Sequence, residues 1–514
     1  MLSPDDLLYF IHIPKTAGTT LITLLDSKFD VNEIFPAQLW KELAKIPPDE
    51  VGKYRLYRGH FGARGLEPFL PKPPVCITML RQPIPLSLST YKFVMREPGT
   101  RVHSLAVGEK MSFTDFIQHP KTRKRISNKQ TRNLSFKIKY PPADDSIFHY
   151  AESRDLVDQW LDKYQLSLSD RDSLSEARAQ LDACAFFGLV ERFDESMALM
   201  SYTFGWSPVG TVPKLREATT PAEIEALSDD VRAMLEECNR LDTKLYRYAE
   251  KVFEKRMRVM MRHLSEFAKP GEPEIKAWTD DPQFANILLD RYYADCQRQV
   301  LKPSPRIQVD FSQALSGSGW HQRETMAMDH STFRWTGPAT TTTIDLPIPQ
   351  KADAEITFRV INAIEMDVLD SLKLAINNKS VDLELLDGAG STVRTYQAIA
   401  PQSILASDRP FTRLSFIVNR TIAPHTKESW NPDVRKLGVA IHWIEVKSHQ
   451  TDDLPSEEQT SAVNVSSKTH QFAGAKDIIR YNQRIHQRDR IKSFMKTAPV
   501  LRSLYHLYKR LTAQ

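Results

Sequence analysis

Over the first 268 residues, short apolar runs alternate with stretches in which apolar side chains recur every three or four positions. The runs lie at 7–13, 54–57, 75–80 and 185–190, each bounded by polar residues, Gly or Pro. Continuous apolar character over so few residues predicts strands buried on both faces. Segments such as 21–29 and 222–253 carry the spacing of amphipathic helices. Strand, helix, strand order predicts an α/β domain, a parallel sheet flanked by helices, over residues 1–268.

The pattern changes after about residue 302. Residues 303–450 hold many short β-rich runs (344–348, 354–360, 372–376, 413–418, 438–446) with turn-forming Asn377-Asn378 and 387–390 between them. Strands without intervening helices predict an antiparallel β-sandwich. Residues 269–302, introduced by Pro270-Gly271-Glu272-Pro273, read as a helical connector. Residues 451–475 are rich in Ser, Thr, Glu and Gln and read as a flexible linker. In the tail, 476–514, Leu501, Leu504, Tyr505, Tyr508 and Leu511 share one helical face beside Arg502, Lys509 and Arg510. Such a basic amphipathic helix can lie as a peripheral contact on an anionic membrane or dock within the molecule. Trp320, Trp335, Trp430 and Trp443 of the sandwich admit two readings, a sugar-stacking platform or a core.

Composition narrows the setting. The formal charge is only +5 over 514 residues, which gives no reason to expect a nucleic-acid partner. Four cysteines, Cys76, Cys184, Cys238 and Cys296, form no CxxC or Cys/His spacing, so neither a structural metal nor a disulfide framework is expected. Asp5 and Asp6 interrupt any secretory apolar region, and no apolar run reaches the roughly 18 residues of a membrane span. The expectation is a cytoplasmic protein, with the tail as its one route to the inner face of a membrane.

The chemistry begins at the first predicted strand end, His12-Ile13-Pro14-Lys15-Thr16-Ala17-Gly18-Thr19-Thr20. A glycine-containing strand-to-helix turn aims backbone N–H groups at one point, and the helix N-terminus adds positive potential there. Lys15 adds an ammonium, and Thr16, Thr19 and Thr20 add hydroxyls. The order is not GxxxxGK[ST], because the lysine precedes the Ala17-Gly18 pair. It resembles the 5′-phosphosulfate loop of the sulfotransferases, and the surrounding text is most similar to family-2 carbohydrate sulfotransferases. That family includes heparan sulfate 2-O-sulfotransferase and bacterial relatives.

A second stretch extends the resemblance. After the run at 75–80 come Arg81, Pro83, Ser89 and Tyr91, the family's spacing for its 3′-phosphate motif, although Gln82 and Leu86 depart from the commoner Asp and Arg. A guanidinium binds phosphate bidentately and a serine adds a short hydrogen bond. The resemblance implies a P-loop-type sulfotransferase fold over about residues 7–255. It also implies that the donor 3′-phosphoadenosine 5′-phosphosulfate (PAPS) is held by Lys15, Thr16, Ala17, Gly18, Thr19 and Thr20 at one end and by Arg81 and Ser89 at the other.

His60, in Tyr57-Arg58-Gly59-His60-Phe61, stands where relatives carry a Gly-His pair that supplies the base. An alcohol needs a proton acceptor to attack sulfur, and histidine suits neutral pH. The resemblance thus makes His60 and Lys15 catalytic. Arg58 replaces a second histidine of the heparan enzyme and is a candidate contact for an anionic acceptor, as are Asn128 and Arg132 in the family-like stretch 128–134. A sulfuryl group carries less charge than a phosphoryl group, so no metal is required. The implied function is transfer of a sulfuryl group from PAPS to a hydroxyl of a carbohydrate or glycoconjugate, releasing PAP. Two alternatives stay open at this point, a P-loop nucleotide kinase or NTPase and a non-catalytic carbohydrate-binding protein.

Overall fold

The computed structural model describes residues 2–210, 221–327, 329–427 and 431–449. The predicted linker 451–475, the tail 476–514 and Trp430 lie outside the described residues. Four strands form the first sheet: β1 (Leu8–Ile11), β2 (Leu56–Gly59), β3 (Val75–Leu80) and β4 (Phe186–Leu189). Their order is β2-β1-β3-β4 and every pairing is parallel. β1 and β4 are buried throughout, because helices cover both faces of the sheet and leave no polar-facing side.

Among the helices are α1 (Gly18–Asp26), α2 (Pro83–Arg96), α3 (Lys129–Leu134), α4 (Phe193–Phe204), α5 (Arg240–Leu264) and α6 (Pro282–Arg298). The strand order decides where a ligand would sit. The chain leaves β1 toward β2 on one side and returns to β3 on the other. The loops after β1 and β3 therefore diverge from neighbouring strand ends, the place where open parallel sheets bind ligands.

The expected helical connector is more than a connector. Ile275, Trp278, Phe284, Ala285, Leu288 and Leu289 join the core of the first domain, while Tyr293 and Ala294 pack with Phe411 of the second. Likewise the span 222–253 is not one helix but three, the last of them α5. Ser228 caps the middle helix and Asn239 separates it from α5.

Residues beyond 305 form two antiparallel sheets, of seven and five strands among the described residues. Phe358 of the larger sheet lies edge-on to Phe416 of the smaller at 5.1 Å, within one shared apolar core. Of the tryptophans weighed as a stacking platform or a core, Trp320 belongs to that interior and Trp335 to a smaller buried cluster with Leu437 and Ala440. Trp320 is 9% exposed, with its indole N–H donating to the Thr343 carbonyl at 2.8 Å, and Trp335 is 8% exposed. Trp443 is half-buried.

The sandwich meets the first domain at the end of α1. Leu315 N–H donates to the Ser27 carbonyl (2.7 Å), Val31 N–H to Ser312 (2.8 Å), and Ala314 N–H to the Asp30 carboxylate (2.8 Å). Lys28, half-buried there and pulled down to about 8 by desolvation, donates to Ser207 Oγ (3.3 Å) and the Leu315 carbonyl (3.2 Å). The helix that opens at the candidate phosphate loop is therefore anchored, at its far end, by the sandwich. No helix among the described residues is long and apolar enough to cross a membrane.

Candidate functional site

Three segments far apart in sequence meet at the carboxyl edge of the first sheet. Residues 12–17 follow β1, His60 follows β2, and Arg81 follows β3. Since β1 lies between β2 and β3, its loop touches both neighbours.

The loop is tightly wound. Lys15 (φ 78°) and Ala17 (φ 60°) adopt left-handed backbone conformations that cost a non-glycine residue about 1 kcal/mol or more each. Surrounding contacts hold them there. Thr16 is fully buried, and its hydroxyl donates to the Ile13 carbonyl at 2.8 Å. That bond staples the turn and turns Thr16 away from the ligand role expected of its side chain. Ala17 occupies the N-cap of α1 and cannot cap it, no side chain substitutes, and no acid stands in the first turn. The electropositive end of a nine-residue helix is thus presented to the cleft, beside the exposed Thr19 and the half-buried Thr20. Gly18 is a steric requirement, because a Cβ there would come within 1.7 Å of His12 Nε2.

Arg81 is 8% exposed and is held at its backbone by one side chain. Gln130 Oε1 accepts from Arg81 N–H (2.9 Å) and Gln130 Nε2 donates to the Arg81 carbonyl (2.8 Å). Its guanidinium donates to the Lys15 carbonyl at 3.2 Å, joining the two predicted anion motifs directly. Among the described residues no carboxylate lies within ion-pair distance of Arg81, whose nearest acidic influence is Glu191. One N–H spent on Lys15 leaves the rest of the fork for an anion. Ser89, also 8% exposed, stands on α2 and lines the same cleft. The Lys15 ammonium lies 4.6 Å from the centre of the Phe93 ring, one turn farther along α2.

His60 shares the cleft wall with the loop. Its Nδ1 lies 2.7 Å from the His12 carbonyl, and its ring is 4.3 Å from the His12 ring. A carbonyl can only accept, so Nδ1 carries the hydrogen and Nε2 is the basic nitrogen of the neutral ring. Burial holds the imidazole below its usual 6.5, with Lys129 acting in the same direction and the His12 carbonyl opposing.

The remaining candidates divide. Arg58 lines the cleft, but Asp26 takes its Nε and Nη2 (2.6 and 3.0 Å) and the Phe35 carbonyl takes Nη1 (2.9 Å). It ties β2 to α1 and is not available as an acceptor contact. Asn128 is spent as well: its carboxamide oxygen accepts from the Leu241 and Asp242 N–H groups (2.9 and 3.3 Å), capping α5. Arg132 does line the cleft.

Two residues escaped the sequence reading, Gln130 and Lys129. Lys129 is 8% exposed, lines the cleft, and donates to Thr90 Oγ1 at 3.1 Å. Desolvation, then Arg132 and Lys15, pull its amine down to about 7 against the opposing field of Asp242. In a run such as Ser127-Asn128-Lys129-Gln130 nothing in the pattern separates a buried lysine from a solvated one.

The cleft is about 4680 Å³ and continues past these groups toward the sandwich, where Ser318, Gln322 and Thr343 line it. That far exceeds the roughly 300–1,000 Å³ of a small-molecule pocket, so a small ligand would fill only part of it.

No family model matches this chain, and no curated protein matches it. Among solved structures, one titled "Structure of TssK from T6SS EAEC in complex with nanobody nb18" aligns at 8% identity with a TM-score of 0.16. The alignment covers 49% of this chain and 56% of that one, so the chain spans about half the length of that structure, and a likeness so slight carries no argument about fold or activity.

Proposed function

We propose that this chain is a PAPS-dependent sulfotransferase with a family-2 carbohydrate sulfotransferase domain, passing a sulfuryl group to a hydroxyl of a carbohydrate or glycoconjugate. The observation that carries the reading is the meeting of Lys15, Arg81 and His60 at one sheet edge, each from a different strand end. On this reading the parallel sheet is of the P-loop type.

The residues suit the donor. The open end of α1, packed so closely that Gly18 admits no Cβ, offers backbone donors to one anionic end. Arg81 and Ser89 offer a fork and a hydroxyl to the other, the 3′-phosphate that separates PAPS from ATP. Bound there, the donor supplies a sulfur–oxygen bond whose leaving group is a phosphate. The protein's part is then positioning and charge. Lys15 and the first-turn N–H groups of α1 stabilise charge gathering on the departing oxygen. His60 Nε2 receives the proton of the acceptor hydroxyl, while the His12 carbonyl keeps Nδ1 protonated and the ring oriented.

Titration calorimetry with PAP and with ATP·Mg decides between this reading and a kinase or NTPase. Heat with PAP and none with ATP·Mg is expected, and the reverse overturns the assignment. Incubation with radiolabelled PAPS and a panel of glycans and lipids then identifies the acceptor. Lys15→Ala is expected to lower turnover by about 100–1,000-fold. His60→Ala should abolish transfer with PAP affinity nearly intact, and lost affinity instead would make His60 structural.

A further inference from the structure

Lys129 takes no part in the transfer chemistry, yet its position is built with care from both sides. Asp242, fully buried on α5, accepts from the Gln130 and Thr131 N–H groups (2.9 and 2.7 Å) and from the Thr131 hydroxyl (2.7 Å). Those bonds pin the first turn of α3. The next residue, Gln130, grips both backbone polar groups of Arg81. A lysine directly before these two anchors has little freedom in where its stem begins.

From there the amine crosses to α2. It donates to Thr90 Oγ1, one residue beyond Ser89 and three before Phe93, over whose ring the Lys15 ammonium lies. The two lysines thus approach the same turn of α2, one from the loop after β1 and one from α3. The charges around Lys129 are unbalanced. Lys15 faces it from the loop, Arg125 from the helix Pro120–Ile126, Arg132 from α3 itself, and His60 from the end of β2. The acid among these groups is Asp242, already engaged in three hydrogen bonds. A buried amine among cations, with one carboxylate already engaged, gains in its charged form from an anion brought from outside.

We propose that Lys129 is the second lysine of the donor site and takes a proton from the buffer when the bisphosphate enters, so that donor binding itself charges it. The inference rests on the sulfotransferase reading. It assigns the site a control on charge: without donor, the cleft avoids holding one more cation in the field of His60; with donor, an ammonium acts on both the base and Lys15. The direction with pH follows. Below about 7 the empty-site amine is already protonated and binding takes up little; toward pH 8 it is mostly neutral, and uptake approaches about one proton per site. Near pH 8 the phosphates of PAP are fully ionised, so their own titration does not enter.

Calorimetric titration of the full chain with PAP, at about pH 8 in two buffers of different ionisation enthalpy, counts those protons. The parent protein should take up close to one. Lys129→Met should take up none and bind about tenfold more weakly, with thermal unfolding checked in parallel. Lys129→Arg, permanently charged, should bind without uptake. His60→Asn should retain the uptake. Uptake that survives in Lys129→Met, or vanishes in His60→Asn, or is missing from a parent that binds PAP, overturns the assignment to Lys129 alone. A parent that binds no PAP overturns the sulfotransferase reading and this inference with it.

Discussion

Placing alanine at Gly18 tests whether close packing of α1 against His12 shapes the anion site. The added Cβ would come to 1.7, 2.2 and 2.5 Å from His12 Nε2, Cδ2 and Cε1. Ordinary carbon contacts begin near about 3.5 Å, so the ring and the helix must part by roughly 2 Å. The ring is not free to swing aside. It stacks on Phe10 at 5.1 Å and lies 4.3 Å from His60, whose Nδ1 is bonded to the His12 carbonyl. Either His12 leaves and His60 loses its support, or α1 recedes from the loop. Overpacking of this kind costs about 1–3 kcal/mol, against which the helix preference of alanine over glycine returns at most about 1 kcal/mol. Stability should therefore fall by a net 1–2 kcal/mol or so, a loss of several degrees in Tm. A shift of roughly 2 Å stretches a hydrogen bond of about 2.9 Å beyond its useful range, so one or two ligand bonds are lost and PAP affinity should drop about ten- to a hundredfold. Differential scanning fluorimetry and PAP titration read both effects. A Gly18→Ala protein with parental Tm and an affinity within about threefold of the parent's would refute the steric reasoning.

Other consequences arise from the same geometry. Gln130→Ala leaves the N–H and carbonyl of Arg81 without their partner, each worth about 1–3 kcal/mol when buried, so lower stability and weaker PAP binding are expected together; unchanged values would show that the clamp holds nothing. Because burial lowers the His60 pKa in the empty site, its basic form persists to lower pH, and the acid limb of kcat/KM should be centred below 6.5. An acid limb centred at or above 6.5 contradicts that. Trp320→Ala empties a site between Phe311 and Phe416 and should destabilise the sandwich by about 3–5 kcal/mol, as seen in denaturant unfolding; full stability with selective loss of glycan binding would restore the surface-platform reading.

The pattern of the chain alone determined a good deal. Apolar runs too short for helices marked all four strands of the first sheet, with 75–80 matching β3 to the residue, because strands buried on both faces leave no polar position to blur their ends. Local chemistry likewise marked the loop at 12–20 and the stretch from Arg81 to Ser89, since both are contiguous and their residue types fit anion binding by themselves. What the sequence could not decide were partnerships made across the fold. Arg58 looked available until Asp26, 32 residues away, took its guanidinium; Asn128 looked polar and free until it capped α5, more than a hundred residues on. Lys129 and Gln130 lay within the family-like stretch 128–134 without a role of their own, and acquired their places only when Asp242 fixed α3 against the end of β3. Trp320 and Trp335 could have faced either way, and the fold buried them, Trp320 between the sheets and Trp335 against Leu437 and Ala440. Hydrophobic periodicity and turn chemistry are properties of neighbours in sequence. Which donor finds which acceptor, and which amine is stripped of water, depends on neighbours in space, and the strand order that set β1 between β2 and β3 decided both.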